Sequence, residues 1–370
     1  MKTIRCIAIL FIVASCSDNT PESNNPFSSL SVWSLEQDLL IEESDELIFG
    51  YTYPPEIASD GDILVADFQN SVIHHFNASG QNQGTFSRKG SGPGEINQMG
   101  SGSMFDDDTF LIFDRAEMRF VRFEKQNGTW GHTEIIPTET RVSAFSQGPN
   151  NTIIYHGVTS FDRSNINNDE RGYTLSQMKL SGDILRDSLI YGPVNTHLIR
   201  IEGNGFMVRN MPNGYGLNSI SQVFDKNIIV HAQTDAFKFT VKNIITDEIS
   251  TFSHHIEPVP LTQAEKDTLI SQVGPQFTSV MRDKMPEFHR IIETFFVSDD
   301  GNIWARLGPK SNPIPEFEWV VMDLNGNLIA RVSNPTGVTI STLKNGHVYG
   351  TSRNPETGTS IHRYRVKKDI

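Results

Sequence analysis

A short unit of sequence returns along this chain at a spacing that few folds accommodate. Ile63-Leu64-Val65-Ala66-Asp67 leads into Val72-Ile73-His74-His75-Phe76, and Phe110-Leu111-Ile112-Phe113-Asp114 leads into Arg119-Phe120-Val121-Arg122-Phe123. In both copies the aspartate stands nine residues before the closing phenylalanine, and the copies are offset by 47 residues. Each ends in a glycine turn, at Ser79-Gly80 and Asn127-Gly128. The pattern returns late in the chain, where Asp300-Gly301-Asn302-Ile303-Trp304-Ala305 is followed by Trp319-Val320-Val321-Met322-Asp323 and the turn Asn325-Gly326. Asn345-Gly346-His347-Val348-Tyr349 and Ser360-Ile361-His362-Arg363-Tyr364 repeat it once more, and weaker copies occupy 152–182 and 227–251.

Asn-Gly and Asp-Gly between apolar runs mark hairpins, because glycine supplies the positive φ that two-residue turns require. Short strands joined by tight turns at this period point to propeller blades. The expected fold is all-β, a six-bladed β-propeller over 30–370, with blades near 56–96, 100–140, 141–193, 214–254, 290–334 and 335–368. Strand-like residues 30–40 are placed to pair with the last blade and close the ring, burying edges that otherwise invite aggregation. A β-sandwich, whose short strands give similar local signals, is the alternative. One segment breaks the rhythm: Thr262-Gln263-Ala264-Glu265 is a capping box. It predicts a helix to about Val273 that stops before Pro275 and resumes over 276–284, a short helical insertion near 262–285. Leu269, Ile270, Val273, Phe277, Val280 and Met281 give it an apolar face broad enough for a buttress against the ring rather than a lid.

Both cysteines, Cys6 and Cys16, fall at the amino end. Lys2 and Arg5 precede an apolar run from Ile7 to Val13, which is too short to span a bilayer, and Ala14 and Ser15 stand just before Cys16. The layout resembles the lipobox of exported bacterial lipoproteins, in which cleavage before the cysteine leaves a thiol that carries diacylglycerol. Residues 1–15 are then a signal peptide, and Cys16 holds the chain to a lipid bilayer through its acyl chains. Residues 16–29, rich in Ser, Asn, Asp and Pro, form a flexible tether. An ordinary secretory signal is the alternative. With Cys6 removed and Cys16 acylated, neither a disulfide nor a thiol nucleophile remains. The location this implies is the outer membrane, facing the periplasm or the cell surface. Loss of Lys2 and Arg5 changes 31 basic residues against 44 acidic into 29 against 44, a net charge of -15. Such an acidic surface argues against nucleic acid as a partner.

The stretch Phe86-Ser87-Arg88-Lys89-Gly90-Ser91-Gly92-Pro93-Gly94-Glu95-Ile96 follows the first blade. It resembles the G-x-G-P-G-E signature of the six-bladed β-propeller lipoproteins of Bacteroidetes and related bacteria, which are similar to NHL-repeat and TolB-type propellers. The resemblance extends to Val32-Trp33-Ser34-Leu35-Glu36, to the strand Ile63-Leu64-Val65-Ala66-Asp67 and to Asp300-Gly301-Asn302-Ile303-Trp304. Ile96 departs from it, standing where an aromatic is more common, and the third and fourth blades match poorly. The resemblance implies the fold and the count of six blades, and says little about activity. Physically, the glycines let the backbone turn sharply and Pro93 stiffens the corner. The loop reads as a connector in which Glu95 ties down neighbouring amides; exposed amides beside Arg88 and Lys89 would alternatively cradle an anion.

No convergent catalytic set stands out. The eleven histidines include no H-E-x-x-H pair. His74 and His75 point to opposite sides of one strand and read as a blade-surface pair. His156 and His231 end strand-like runs that could face the axis, where a calcium or zinc ion would sit. Asp106-Asp107-Asp108 reads as a solvated turn, and Asp323-Leu324-Asn325-Gly326-Asn327 as a hairpin without the glutamate of a calcium loop. Asp67 and Asp114 recur at equivalent positions, as turn-stabilising residues do. Candidate binding residues are Arg88 and Lys89, beside the glycine-rich amides; Arg115, Arg209, Arg306 and Arg353, cations near strand ends suited to a carboxylate; and Trp304, which either stacks a sugar or packs between blades. The expectation is a non-catalytic binding or scaffolding module for a protein, peptide or glycan. The alternative is a metal-dependent hydrolase or lyase, lactonase-like, with its site at the propeller axis; the fold alone does not decide between them.

Overall fold

The computed structural model describes residues 26–158, 172–193, 196–201, 205–210, 217–275, 278–308 and 318–368. Cys6, Cys16 and the expected signal peptide lie outside them, as do Phe277 and the side chain of Val280. Most of the described strands sort into six antiparallel sets of four, spanning 56–86, 99–137, 145–193, 219–253, 292–332, and 339–368 with Ser31–Glu42; Arg88–Lys89 with Glu95–Ile96, and Thr196–Ile201 with Gly205–Asn210, form two further two-stranded pairs. Each set follows the stretch that the sequence repeat marks out. Within a set the strands run in chain order, as in the first, where Glu56–Ile57, Ile63–Asp67, Val72–Phe76 and Asn82–Phe86 lie side by side. First strands of neighbouring sets abut: Glu56–Ile57 lies beside Met99–Asp106, and Ile292–Val297 beside both Ser219–Phe224 and Thr339–Lys344. The sets therefore pack face to face around an axis lined by their first strands, and the chain is an all-β propeller.

The closing strand forms as the sequence predicts. Ser31–Glu42 pairs antiparallel with Gly358–Lys368, from Trp33 opposite Lys368 to Glu42 opposite Ser360, and so supplies the outer strand of the last set. Its start also runs parallel to Leu328–Val332, Ser31 lying opposite Ala330, which ties the last two sets into one sheet. Packing begins earlier than a tether over 16–29 allows. Phe27 is fully buried, its ring 5.6 Å from that of Phe237.

The core lies between sets. Trp33, Phe296, Trp304 and Trp319 fill the space between the fifth and sixth sets, and Phe105, Phe113, Phe120 and Phe145 that between the second and third. A strand inside a set is covered by a neighbouring set on each face, which is why Ile63–Asp67 is buried at every position and reads as a continuous apolar run rather than an alternation. The same burial corrects the expectation for His74 and His75. Both are buried, His74 with its ring edge-on to Phe49 at 4.9 Å and His75 Nε2 2.5 Å from Asp62 Oδ2.

A four-stranded meander places its first-to-second and third-to-fourth turns at one end. Its middle turn and the connectors between sets lie at the other, here called the connector face. The helical insertion stands on that face. Helix Gln263–Ser271 starts at the predicted capping box, with Glu265 N donating to Thr262 Oγ1 at 3.3 Å and Thr262 N to Glu265 Oε2 at 2.9 Å. The backbone and side-chain hydrogen bonds from Thr262 hold the Glu265 carboxyl down to about 2. A second helix, Thr278–Asp283, packs on the first, and the ends of the insertion are zipped by Leu261 N to Glu287 O and His289 N to Val259 O. Leu269, Ile270 and Met281, from the face expected to be covered, are buried, and the two helices contact one another.

Candidate functional site

The recurring aspartates build the connector face. Asp67 ends its strand fully buried and turns its carboxylate back on the connector that precedes the set: Oδ2 accepts from Gly50 N at 2.8 Å, and Oδ1 from Gln69 N and Asn70 N at 3.0 Å. Asp114 repeats the arrangement, with Asn97 N on Oδ2 at 3.0 Å and Gln98 N and Ala116 N on Oδ1 at 3.1 and 3.2 Å. One carboxylate thus satisfies amides of two loops that would otherwise be orphaned.

The glycine-rich loop is a connector. Arg88–Lys89 pairs in parallel with Glu95–Ile96, and the Glu95 carboxylate takes the place an anion would fill, accepting from Gly92 N at 2.9 Å and from Arg88 Nε at 2.7 Å. These two contacts hold its carboxyl below the usual range, the Gly92 amide foremost. Gly90 has no room for a side chain, since a Cβ there would meet Glu95 Oε2 at 2.1 Å. From the next set, buried Arg119 donates to Ser91 O at 3.1 Å and Glu95 O at 3.0 Å.

Beside this scaffold the connector face carries an aromatic step. Tyr51 and Phe68 are 52% and 40% exposed. Their rings stack at 5.8 Å and 22°, and Tyr53 adds a tilted contact to Phe68 at 5.0 Å. Backbone pairing fixes the pair, Phe68 N donating to Tyr51 O at 2.9 Å, while Asp67 anchors both loops. The guanidinium of Arg353, from the end of His347–Asn354 in the last set, lies 4.5 Å from the Tyr51 ring centroid. A guanidinium stacked on an aromatic face keeps its donor edge free for a carboxylate.

Arg353 is therefore the sequence candidate that the structure places in a built environment. Arg88, Lys89, Arg115 and Arg306 share its face but are spread around the ring. Arg88 is committed to Glu95, and Arg306 to Glu318 through Nε at 3.1 Å and Nη2 at 2.9 Å. Arg115 packs over Gly100 and Lys89 is exposed. Arg209 lies in the strand Gly205–Asn210, with its side chain outside the described residues. Trp304 is buried, stacked on Phe296 at 5.8 Å and 16°, so its faces serve packing between sets and not a sugar. Tyr51, Tyr53 and Phe68 escaped sequence reasoning; their one signal was aromatic residues outside strand positions, Tyr51 and Tyr53 in a proline-bearing connector and Phe68 in the turn after Asp67.

The axis holds single titratable groups. Glu56, on a first strand, accepts from Met104 N of the next set at 3.2 Å, and burial pushes its carboxyl up to about 7. Asp106 closes the opposite end of the second, third and fourth sets by accepting from Gln147 Nε2 at 2.9 Å and Lys226 Nζ at 3.0 Å. His156 and His231 lie on second strands, one step back from the axis, and burial lowers each to about 4. His231 Nδ1 is hydrogen-bonded to Ser221 Oγ at 2.9 Å. Among the described residues, no three His, Cys, Asp or Glu side chains converge as a metal would require, and no helix is long and apolar enough to cross a membrane.

No family model matches the chain, and no curated protein sequence matches it. Among solved structures it is similar to an exported protein of Bacteroides fragilis, with a TM-score of 0.54 at 13% identity over 92% of this chain and 98% of that one. It is also similar to a member of the DUF4221 family from Bacteroides vulgatus, with a TM-score of 0.55 at 12% identity over 91% and 99%. A weaker likeness, TM-score 0.44 at 10% identity, to virginiamycin B lyase from Staphylococcus aureus carries nothing about activity. At these identities the likenesses speak for the fold, and they agree with the strand order: the chain is a β-propeller.

Proposed function

We propose that this protein is an exported lipoprotein whose propeller, with six blades, acts as a binding module and holds a protein or peptide on its connector face. The observation that carries this reading is the exposed Tyr51–Phe68 stack under the Arg353 guanidinium. Tyr and Arg dominate binding hot spots because they offer large, pre-ordered contact area with a polar tip. A peptide carboxylate on Arg353, with apolar side chains on the ring edges, satisfies both. The lipobox-like run to Cys16 supports export and acylation, and so does the fold shared with an exported Bacteroides protein. Cys16 would hold the chain to the outer membrane.

The test places a photo-crosslinking amino acid at Gln69, beside the step, in the acylated chain in its own membranes. The expected result is one discrete cross-linked partner, lost when Tyr51→Ala and Arg353→Ala are combined. An unchanged cross-linking pattern in the double variant overturns the assignment. Mass spectrometry of the amino-terminal peptide tests the anchor separately; a Cys16→Ala chain that stays membrane-bound refutes it.

A further inference from the structure

A cavity of about 380 Å³ opens at the other end of the propeller, between the fifth and sixth sets. Its apolar wall is Trp33, Trp304, Leu343 and Val366, and its charged rim is Asp299, Asp300 and Lys368. The size suits a small ligand. Both carboxylates are oriented from behind: Asp299 Oδ2 accepts from Asn345 N at 2.7 Å, and Asp300 Oδ1 accepts from Ser298 Oγ. Lys368 shows what the site attracts. Its ammonium stands 4.7 Å from the Trp33 ring centroid and 3.8 Å from Asp300 Oδ2, so the chain places a cation of its own against an aromatic face and a carboxylate. Two carboxylates against one ammonium leave the rim with one uncompensated negative charge.

We propose that this cavity binds a primary ammonium attached to an apolar side chain, the chemistry of a peptide's amino terminus. The ammonium is held by Asp299 and Asp300, and the side chain lies on the wall between Trp33 and Leu343. Stacking of a pyranose on Trp304 is disfavoured, because that ring face is covered by Phe296. The site lies at the opposite end from Arg353 and does not depend on the connector-face reading or on acylation.

The probe is L-phenylalaninamide, which carries the ammonium and the apolar group without a carboxylate, titrated calorimetrically into the full chain. Binding at a Kd of about 1 mM or tighter is expected for so small a ligand. Acetylating its amine should abolish binding. Asp300→Asn should weaken it about tenfold or more, as loss of a charge-assisted contact does, and Lys368→Ala should strengthen it by freeing the Trp33 face. Asp300 and Lys368 are each about half exposed, so both variants should fold, as a melting curve would verify; Asp299→Asn provides a second reading. No heat at about 10 mM probe, equal binding of the acetylated amide, or indifference to Asp300→Asn overturns the proposal.

Discussion

Two turns of this protein use the same device at different depths, and the contrast yields a quantitative prediction. Asp67 accepts from three backbone amides, Gly50, Gln69 and Asn70, and from Asn70 Nδ2 at 2.8 Å, with no exposed surface. Asp323 accepts from Asn325 N at 2.8 Å, Asn327 N at 2.9 Å and Asn327 Nδ2 at 2.7 Å, in a turn where both asparagines are exposed. Truncation to alanine removes comparable bonds from each. Asp67 itself has no exposed surface and its carboxylate also satisfies the half-buried Gly50 amide across the connector, whereas Asp323 is half-buried and bonds only within its own turn; Gln69 and Asn70, like Asn325 and Asn327, are exposed. An amide left unpaired away from water costs about 1–3 kcal/mol, so loss of the Gly50 bond, with about 0.5–1 kcal/mol for the exposed turn bonds, amounts to about 3 kcal/mol for Asp67→Ala. Asp323→Ala should cost about 0.5–1 kcal/mol, the net worth of an exposed hydrogen-bonded turn. At about 1–2 °C per kcal/mol for a chain of this size, calorimetry should show Tm falling by about 4 °C in the first variant and by about 1 °C in the second. Equal falls in the two variants would refute the assignment of the cost to burial rather than to the bonds themselves.

Two further variants probe the axis and the glycine-rich connector. The Glu56 carboxyl is raised from 4.5 to about 7, so ionising it costs more in the fold than in the unfolded chain; stability is fully present below pH 4.5 and is lost as pH rises towards 7. Discounted for its partial exposure, the loss is about 2 kcal/mol; urea titrations across that range should show it in the parent and not in Glu56→Gln, and parallel profiles would count against the assignment. Arg119→Met removes the donors that hold Ser91 O and Glu95 O, and should cost about 2–3 kcal/mol. Amide exchange at Gly90 and Glu95 should then accelerate about tenfold or more, whereas unchanged exchange there would mean that the loop holds its own shape.

The fold was legible because its determinants are local and repeated. The second strands are buried on both faces, which writes runs such as Phe110-Leu111-Ile112-Phe113 into the sequence, and the terminal aspartate of each copy answers the same orphaned amides. The capping box at Thr262 and Glu265 is likewise complete within four residues. What the pattern misjudged depends on three-dimensional surroundings. A strand with two adjacent histidines reads as half-exposed until the neighbouring sets cover both of its faces, which buries His74 and His75.

The candidate sites were hidden for a related reason: both lie at the seam where the ring closes. Tyr51 and Arg353 meet because Ser31–Glu42 completes the last set and brings the connector that follows it, with Tyr51, against the end of His347–Asn354. Trp33, in that same strand, forms a wall of the cavity whose rim comes from turns at Asp299-Asp300 and Asn345-Gly346. No spacing in a linear sequence encodes contacts between residues about three hundred positions apart. A search for motifs therefore favoured Arg88 and Lys89, which sit in a conspicuous loop whose carboxylate partner, Glu95, is only seven positions from Arg88. Conspicuous local motifs in this chain serve the scaffold, because a scaffold built from repeats must be specified locally. Exposed residues such as Tyr51 and Phe68 carry no periodicity, because nothing in the core constrains them.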